Sequence, residues 1–237
     1  MRKYIKILRK QQENTFWQTF CYDTNKSQIS IAHVLLELNQ RSPLKDIEGK
    51  EAEPIQWECN CQQGKCGACA MLIDGFPALA CEEKLDIHMD TVELMPLQKF
   101  PVVKDLIVDR SSVFENLKKM QVWIKGKGPV KQENQKEAYC ASQCLQCGCC
   151  LEICTSYTGG DEFLGMAVLA PSVRIFSVSK GKEKDLMLKK YRRYVYEGCD
   201  EFHACDHVCP VKLPLAQLMA HMNAQIKKAV GGDRNEE

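Results

Sequence analysis

Cysteine thiolates bind soft metal ions, and the cysteines of this chain stand in three short runs. The first is Cys61-x4-Cys66-x2-Cys69, with Cys81 behind it. The second is Cys144-x2-Cys147-x2-Cys150-x3-Cys154. The third is Cys199-x5-Cys205-x3-Cys209-Pro210. Fifteen cysteines is an odd number, which a closed disulfide framework does not accommodate. The chemistry these spacings imply is iron–sulfur ligation, and each spacing selects a cluster.

The first run has the plant-type ferredoxin spacing for a 2Fe–2S cluster, ligated by Cys61, Cys66, Cys69 and Cys81. A rhomb with two thiolates per iron takes three ligands from a loop along one edge and the last from a separate strand. Gly64 and Gly67 let the backbone approach without side-chain clash. Asp74-Gly75 is a hairpin signal that carries the chain back, bringing Cys81 toward the loop. The competing reading is a structural zinc site, although zinc usually pairs its cysteines as Cys-x2-Cys knuckles. Cys59 lies outside the pattern and reads as a buried or spare thiol.

The second run has the bacterial ferredoxin spacing, in which the fourth cysteine ligates the other cluster. The third fits the same frame, with Phe202 where the second cysteine would stand. The exchange rule then assembles Cys144, Cys147, Cys150 and the distant Cys209 into a 4Fe–4S site. Cys199, Cys205 and the distant Cys154 make a site with three thiolates. A phenylalanine cannot hold the corner iron, so this site is expected to carry a 3Fe–4S cluster. The alternative is a 4Fe–4S cluster whose fourth iron binds water, substrate or His203. His203 and His207 otherwise read as helix-end groups or outer partners of the ligands. Two zinc sites would mimic the pattern only without the doubled frame and its proline. Cys21, Cys59, Cys140 and Cys149 are left over and read as packing residues.

The elements that must position these runs differ along the chain. Tyr4–Leu8 and Phe16–Tyr22 are strand-like, and Ser30 is placed to cap a helix with apolar Ile31, Val34, Leu35 and Leu38. Short strands are expected at Ile55–Trp57, Ala70–Ile73, Ala78–Ala80 and Val92–Leu94. After Phe100-Pro101 the pattern turns helical, at Val103–Val108, Val113–Met120, Ala138–Ser142, Phe163–Ala170, Lys184–Glu197 and Leu215–Ala229. Gly126 to Pro129 reads as a turn, Pro214 as a helix start, and the tail from Gly231 as frayed.

Thirty-two basic residues against 31 acidic exclude a strong case for nucleic acid. The start, Met1 to Lys10, has too short an apolar run for a signal peptide. No stretch approaches the roughly 18–20 apolar residues of a membrane span. The expectation is a peripheral subunit on the cytoplasmic side, held at a membrane by others. In a reducing compartment, dense cysteines argue for metal. There is no nucleotide-binding glycine motif and no haem-attachment motif, so the chain carries electrons while a partner supplies two-electron chemistry. The basic stretch Lys180–Arg193 reads as a solvated helix face, or as an approach to anionic lipid or an anchor subunit.

The order of these motifs resembles the iron–sulfur subunit of succinate dehydrogenase and fumarate reductase over nearly the whole chain. CQQGKCGACAMLIDGFPALAC is similar to that family's 2Fe–2S loop and hairpin. CLQCGCCLEIC and CDEFHACDHVCP are similar to its two helical-domain motifs, and VKDLIVD to its domain boundary. The resemblance implies an α+β fold: a plant-type ferredoxin-like β-grasp domain over 1–101, then an all-α bacterial-ferredoxin-like domain over 102–237. It implies a flavoprotein partner with covalent FAD that interconverts succinate and fumarate, nearest the 2Fe–2S cluster. It also implies a 4Fe–4S relay, a 3Fe–4S cluster facing quinone, and a membrane anchor, often a cytochrome b. Many members continue the second motif with proline and tryptophans that build the quinone pocket. Here Thr155 replaces the proline and the tryptophan is missing, so no quinone residues carry over. GCCLEIC, Asp161–Leu164 and CDHVCPVKLPL look closer to the menaquinone-linked branch with a dihaem cytochrome b anchor. The departure leaves room for a thiol or another soluble carrier in place of quinone.

Overall fold

A computed structural model describes residues 1–26, 28–86, 88–123, 135–160 and 162–232. They form two compact units, Met1–Arg110 and Ser111–Glu237. In the first unit, β1 (Arg2–Gln11) and β2 (Asn14–Asp23) make a long hairpin in unbroken register from Arg2↔Asp23 to Gln11↔Asn14. Alternate residues of β1, namely Lys3, Ile5, Ile7 and Arg9, are buried, the period of two expected of a strand with one inward face. Helix α1 (Ile31–Asn39) starts at Ser30, whose Oγ accepts the His33 N–H at 3.3 Å. It buries Ile31, Ala32, Val34, Leu35 and Leu38.

Two short strands, β3 (Leu44–Lys45) and β4 (Glu51–Ala52), pair with each other. Strands β5 (Ala70–Ile73), β6 (Phe76–Leu79) and β7 (Thr91–Met95) join the hairpin in a five-stranded sheet ordered β2-β1-β7-β5-β6. The β1–β7 pair is parallel and the other pairs are antiparallel. Asp74 and Gly75, both at positive φ (49° and 82°), close the β5–β6 turn as the sequence predicts. Ile55–Trp57, expected as a strand, joins no ladder.

The expected helix at Val103–Val108 is instead a hairpin of β8 (Val102–Lys104) and β9 (Ile107–Val108). The reason is tertiary. Asp105, at the turn with φ 46°, is fully buried and lies 3.0 Å from Arg9 Nε. Its carboxylate accepts the Lys10 N–H at 3.1 Å and the Gln56 N–H at 2.9 Å. A helix would withdraw that carboxylate from the sheet and leave Arg9 buried without its counter-charge. Residues 102–110 are therefore counted in the first unit, beyond the boundary expected at 101.

The second unit is helical: α2 (Ser111–Met120), α3 (Gln135–Ala141), α4 (Cys149–Glu152), α5 (Leu169–Val178), α6 (Lys182–Tyr191), α7 (Ala204–His207) and α8 (Leu215–Gly232). A 3-10 turn, Met166–Val168, leads into α5, and a π turn, Arg192–Tyr196, extends α6. The expected helix at Phe163–Ala170 is displaced toward the C-terminus. Gly165 sits at φ 71°, and a Cβ there would lie 2.3 Å from the Leu151 side chain, so no helix passes through it. Pro171 lies in the first turn of α5, where a missing N–H is tolerated. The expected turn at 126–129, Asp161 and the last five residues lie outside the described residues. Among the described residues, no helix is long and apolar enough to cross a membrane.

Candidate metal centres

The first centre is a loop between β4 and β5. Positive φ at Gln62 (55°), Gly64 (65°) and Gly67 (74°) winds it tightly, so that successive amides turn toward the cysteines. Gln63 N–H and Lys65 N–H donate to Cys61 Sγ at 3.4 and 3.3 Å. Gly64 N–H donates to Cys81 Sγ at 3.2 Å. The β5–β6 hairpin returns the chain so that Ala80 N–H reaches the Cys69 carbonyl at 3.1 Å, which sets Cys81 beside Cys69. The four thiols stand as two pairs: Cys66 is near enough to act on the Cys61 thiol, and Cys81 on the Cys69 thiol. That is the two-by-two set a rhomb of two irons takes.

The backbone N–H groups of Gln63 and Lys65 stabilise the thiolate and bring the Cys61 pKa down to about 7. Burial pushes Cys69 the other way, up to about 12. Cys59, exposed and outside the pairs, is raised by partial burial and then by the nearby Cys81, Cys66 and Cys61.

The second centre lies in the second unit. Cys144 and Cys147 stand in the approach to α4, whose first turn contains Cys150, and Gln146 (φ 55°) and Gly148 (φ 90°) bend the chain between them. Cys209, just beyond α7, comes from the far end of the sequence. All four cysteines line one pocket, together with apolar groups including Met166 and Leu213. The side-chain amide Nε2 of Gln146 donates to Cys144 Sγ at 3.0 Å and to the Ala167 carbonyl at 3.1 Å. Leu213 N–H donates to Cys209 Sγ at 3.4 Å. Burial drives Cys144 up to about 11, and raises Cys150 well above an ordinary thiol and Cys209 less far. Cys149 does not line that pocket and is fully buried; the neighbouring Cys147 thiol and then burial raise it too.

The third centre brings Cys154, Cys199 and Cys205 together. Burial raises Cys199 and Cys205, the latter to about 11, and next to burial or a backbone bond the Cys154 charge raises both. Thr155 Oγ1 donates to Asp200 Oδ2 at 2.7 Å and ties the second motif to the third. Phe202, in the place of a fourth cysteine, is 73% exposed and turned to solvent. His203, at φ 58°, caps α7 without a side-chain bond. Cys21 and Cys140 lie apart from all three groups, in β2 and α3.

The donors are thiols throughout, and burial with like neighbours keeps most of them protonated in the protein alone. A bound iron cluster reverses that logic, because its positive charge deprotonates the coordinating thiols. Among the described residues, no three or more His, Cys, Asp or Glu groups close around a point that would hold one ion. The groups are thiol-rich, and their donors would suit iron–sulfur clusters, which would supply one-electron transfer there. Sequence spacing names the thiols; it does not name Gln146, nor Met219, whose Sδ lies 3.7 Å from Cys199 Sγ. Neither carries a motif.

Residues 4–115 match the family of 2Fe-2S iron-sulfur cluster binding domains. The chain is 32% identical over 207 residues to the succinate dehydrogenase iron-sulfur subunit of Bacillus subtilis, covering 82% of this chain and 80% of that protein. It is 29% identical over 188 residues to the fumarate reductase iron-sulfur subunit of Wolinella succinogenes, covering 73% and 77%. Its fold is similar to a chain of the Mycobacterium smegmatis Sdh1 complex in the apo form, with a TM-score of 0.76 and 18% identity over 100% of this chain and 98% of that one.

Proposed function

This chain belongs to the iron–sulfur subunits of succinate dehydrogenase and fumarate reductase, and we propose that it conducts single electrons between a flavoprotein and a membrane quinone. Its role in such an oxidoreductase is electron transfer, and the dicarboxylate chemistry belongs to the FAD-bearing partner. In the finer reading, Cys61, Cys66, Cys69 and Cys81 hold a 2Fe–2S cluster. Cys144, Cys147, Cys150 and Cys209 hold a 4Fe–4S cluster, and Cys154, Cys199 and Cys205 a 3Fe–4S cluster. The observation that carries this reading is the crossing of two cysteines: Cys209 beside Cys144 and Cys147, and Cys154 beside Cys199 and Cys205.

Iron–sulfur clusters supply one-electron transfer when bound. The chain's own part is to orient thiolates, exclude water from Cys147 and Cys69, and direct N–H donors at sulfur, which sets potential. The expected setting is the cytoplasmic face of a membrane, through a cytochrome b anchor, and the motifs around Cys149 and Cys209 favour the menaquinone-linked, dihaem branch. A thiol or soluble carrier in place of quinone is not favoured, because the relatives matched are succinate dehydrogenase and fumarate reductase subunits.

The test is low-temperature EPR of the purified complex, together with succinate–quinone and quinol–fumarate assays. Three centres are expected, one of them paramagnetic when oxidised. Lack of that oxidised signal overturns the three-iron assignment. Thiol oxidation by a complex without an anchor overturns the quinone assignment.

A further inference from the structure

The loop of the first centre is held from outside by a residue that no cluster motif contains. Arg110 follows β9 as the last residue of the first unit, and its side chain is only 13% exposed. Its Nη1 donates to the Gly67 carbonyl at 2.9 Å and its Nη2 to the Ala68 carbonyl at 2.7 Å. The same Nη2 is paired with the Glu58 carboxylate. Gly67 and Ala68 are the two residues between Cys66 and Cys69.

A trans peptide unit directs its carbonyl and its N–H to opposite sides. With the Gly67 and Ala68 carbonyls on the guanidinium, the Ala68 and Cys69 N–H groups are turned away from it. Elsewhere in this loop, N–H groups already donate to Cys61 and Cys81 sulfur. Such donors, with local charge, set a cluster's potential. A rigid fork holds two successive carbonyls in fixed directions; a lysine offers a point charge on a flexible stem. Glu58 offsets the guanidinium, so pair and cluster share one charge balance.

We propose that Arg110 is a positioning residue for the 2Fe–2S cluster, fixing the Cys66–Cys69 peptide units and, with Glu58, setting the cluster's potential. The proposal rests on the assignment of that cluster to Cys61, Cys66, Cys69 and Cys81. The test uses the intact complex with R110Q, R110K and E58Q. The 2Fe–2S midpoint is followed by EPR-monitored titration, beside g-values, iron content and thermal midpoint. R110Q, which removes the cation and leaves Glu58, is expected to lower the midpoint by a tenfold change in the one-electron equilibrium, about 59 mV, or more. R110K keeps the charge but loses the fork, and is expected to shift it less and to change the g-values. E58Q leaves the cation uncompensated and is expected to raise the midpoint.

Wild-type midpoints and g-values in both Arg110 variants, with only thermal stability reduced, would overturn the proposal. If R110Q fails to assemble, R110K and E58Q decide in the same way, and two unchanged midpoints sink it. A wild-type complex with no reduced 2Fe–2S signal overturns the underlying assignment instead, and the proposal with it.

Discussion

At the scale of single residues, the centres are built from opposed local effects. Cys61 is at the surface under two backbone N–H donors, and its pKa falls to about 7, whereas burial carries Cys69 to about 12. In the iron-free chain, the Cys61 thiolate fraction therefore grows as pH rises through about 7, while Cys69 stays protonated to far higher pH. Alkylation with iodoacetamide, mapped by mass spectrometry, is expected to modify Cys61 first, with a half-point near pH 7. Cys69 alkylated at equal rate at pH 8 would contradict this. Gln146 acts on the second centre through its amide N–H on Cys144 Sγ, while its Oε1 is buried without a partner. A hydrogen bond to ligand sulfur favours the more negative, reduced state. Q146L is therefore expected to lower the midpoint of the cluster held by Cys144, leaving that of the first centre unchanged in the same titration. An unshifted midpoint would reduce Gln146 to a strut between Cys144 and Ala167.

At the scale of elements, the β8–β9 hairpin stands on one buried charge pair. Arg9 Nε lies near Asp105 Oδ1 without an aligned N–H, and the rest of the guanidinium is held by Gln18 Oε1 and the Glu53 and Pro54 carbonyls. D105A strands a buried cation and is expected to destabilise the chain by about 3–5 kcal/mol. Replacing both partners, as in R9M/D105L, removes the charge altogether and is expected to recover most of that loss in thermal or urea unfolding. A double variant no more stable than D105A would refute the account. This hairpin also marks the limit of what the sequence discloses. Val103–Val108 reads as a helix because nothing local announces that Asp105 has a partner 96 positions away in Arg9. Gly165 is the same lesson in the second unit: its positive φ and the Leu151 side chain beside it come from packing, and the helix starts at Leu169 rather than Phe163. The cysteine groups were legible because ligand spacing is itself a local rule. The β5–β6 turn and the Ser30 cap were legible for the same reason. Arg110 and Gln146 were not, since their roles exist only once the loop and pocket have closed.

At the scale of the whole chain, the two units depend on metal to different degrees. The first has a sheet of five strands with a core including Ile5, Ile7, Phe20, Leu72 and Leu94, and its centre sits in a loop outside that sheet. In the second unit, the cysteines of the two centres lie in irregular chain or in α4 and α7, which have four residues each. Helices so short do not hold in water by themselves. Cys144–Cys154 and Cys199–Cys209 meet through the α4–α7 packing, beside the bond from Thr155 to Asp200, and through the placement of Cys154 and Cys209 each in the other segment's group. Metal binding free energy then becomes folding free energy for those segments. Anaerobic removal of iron is expected to release the amides of residues 142–165 and 198–214 to rapid hydrogen exchange, with β1 and β2 still protected. C209S is expected to remove the cluster held by Cys144, 65 positions away, and to loosen both segments together. If C209S instead strips only the centre at Cys199, the crossing is wrong, and the two motifs are independent sites that happen to share a unit.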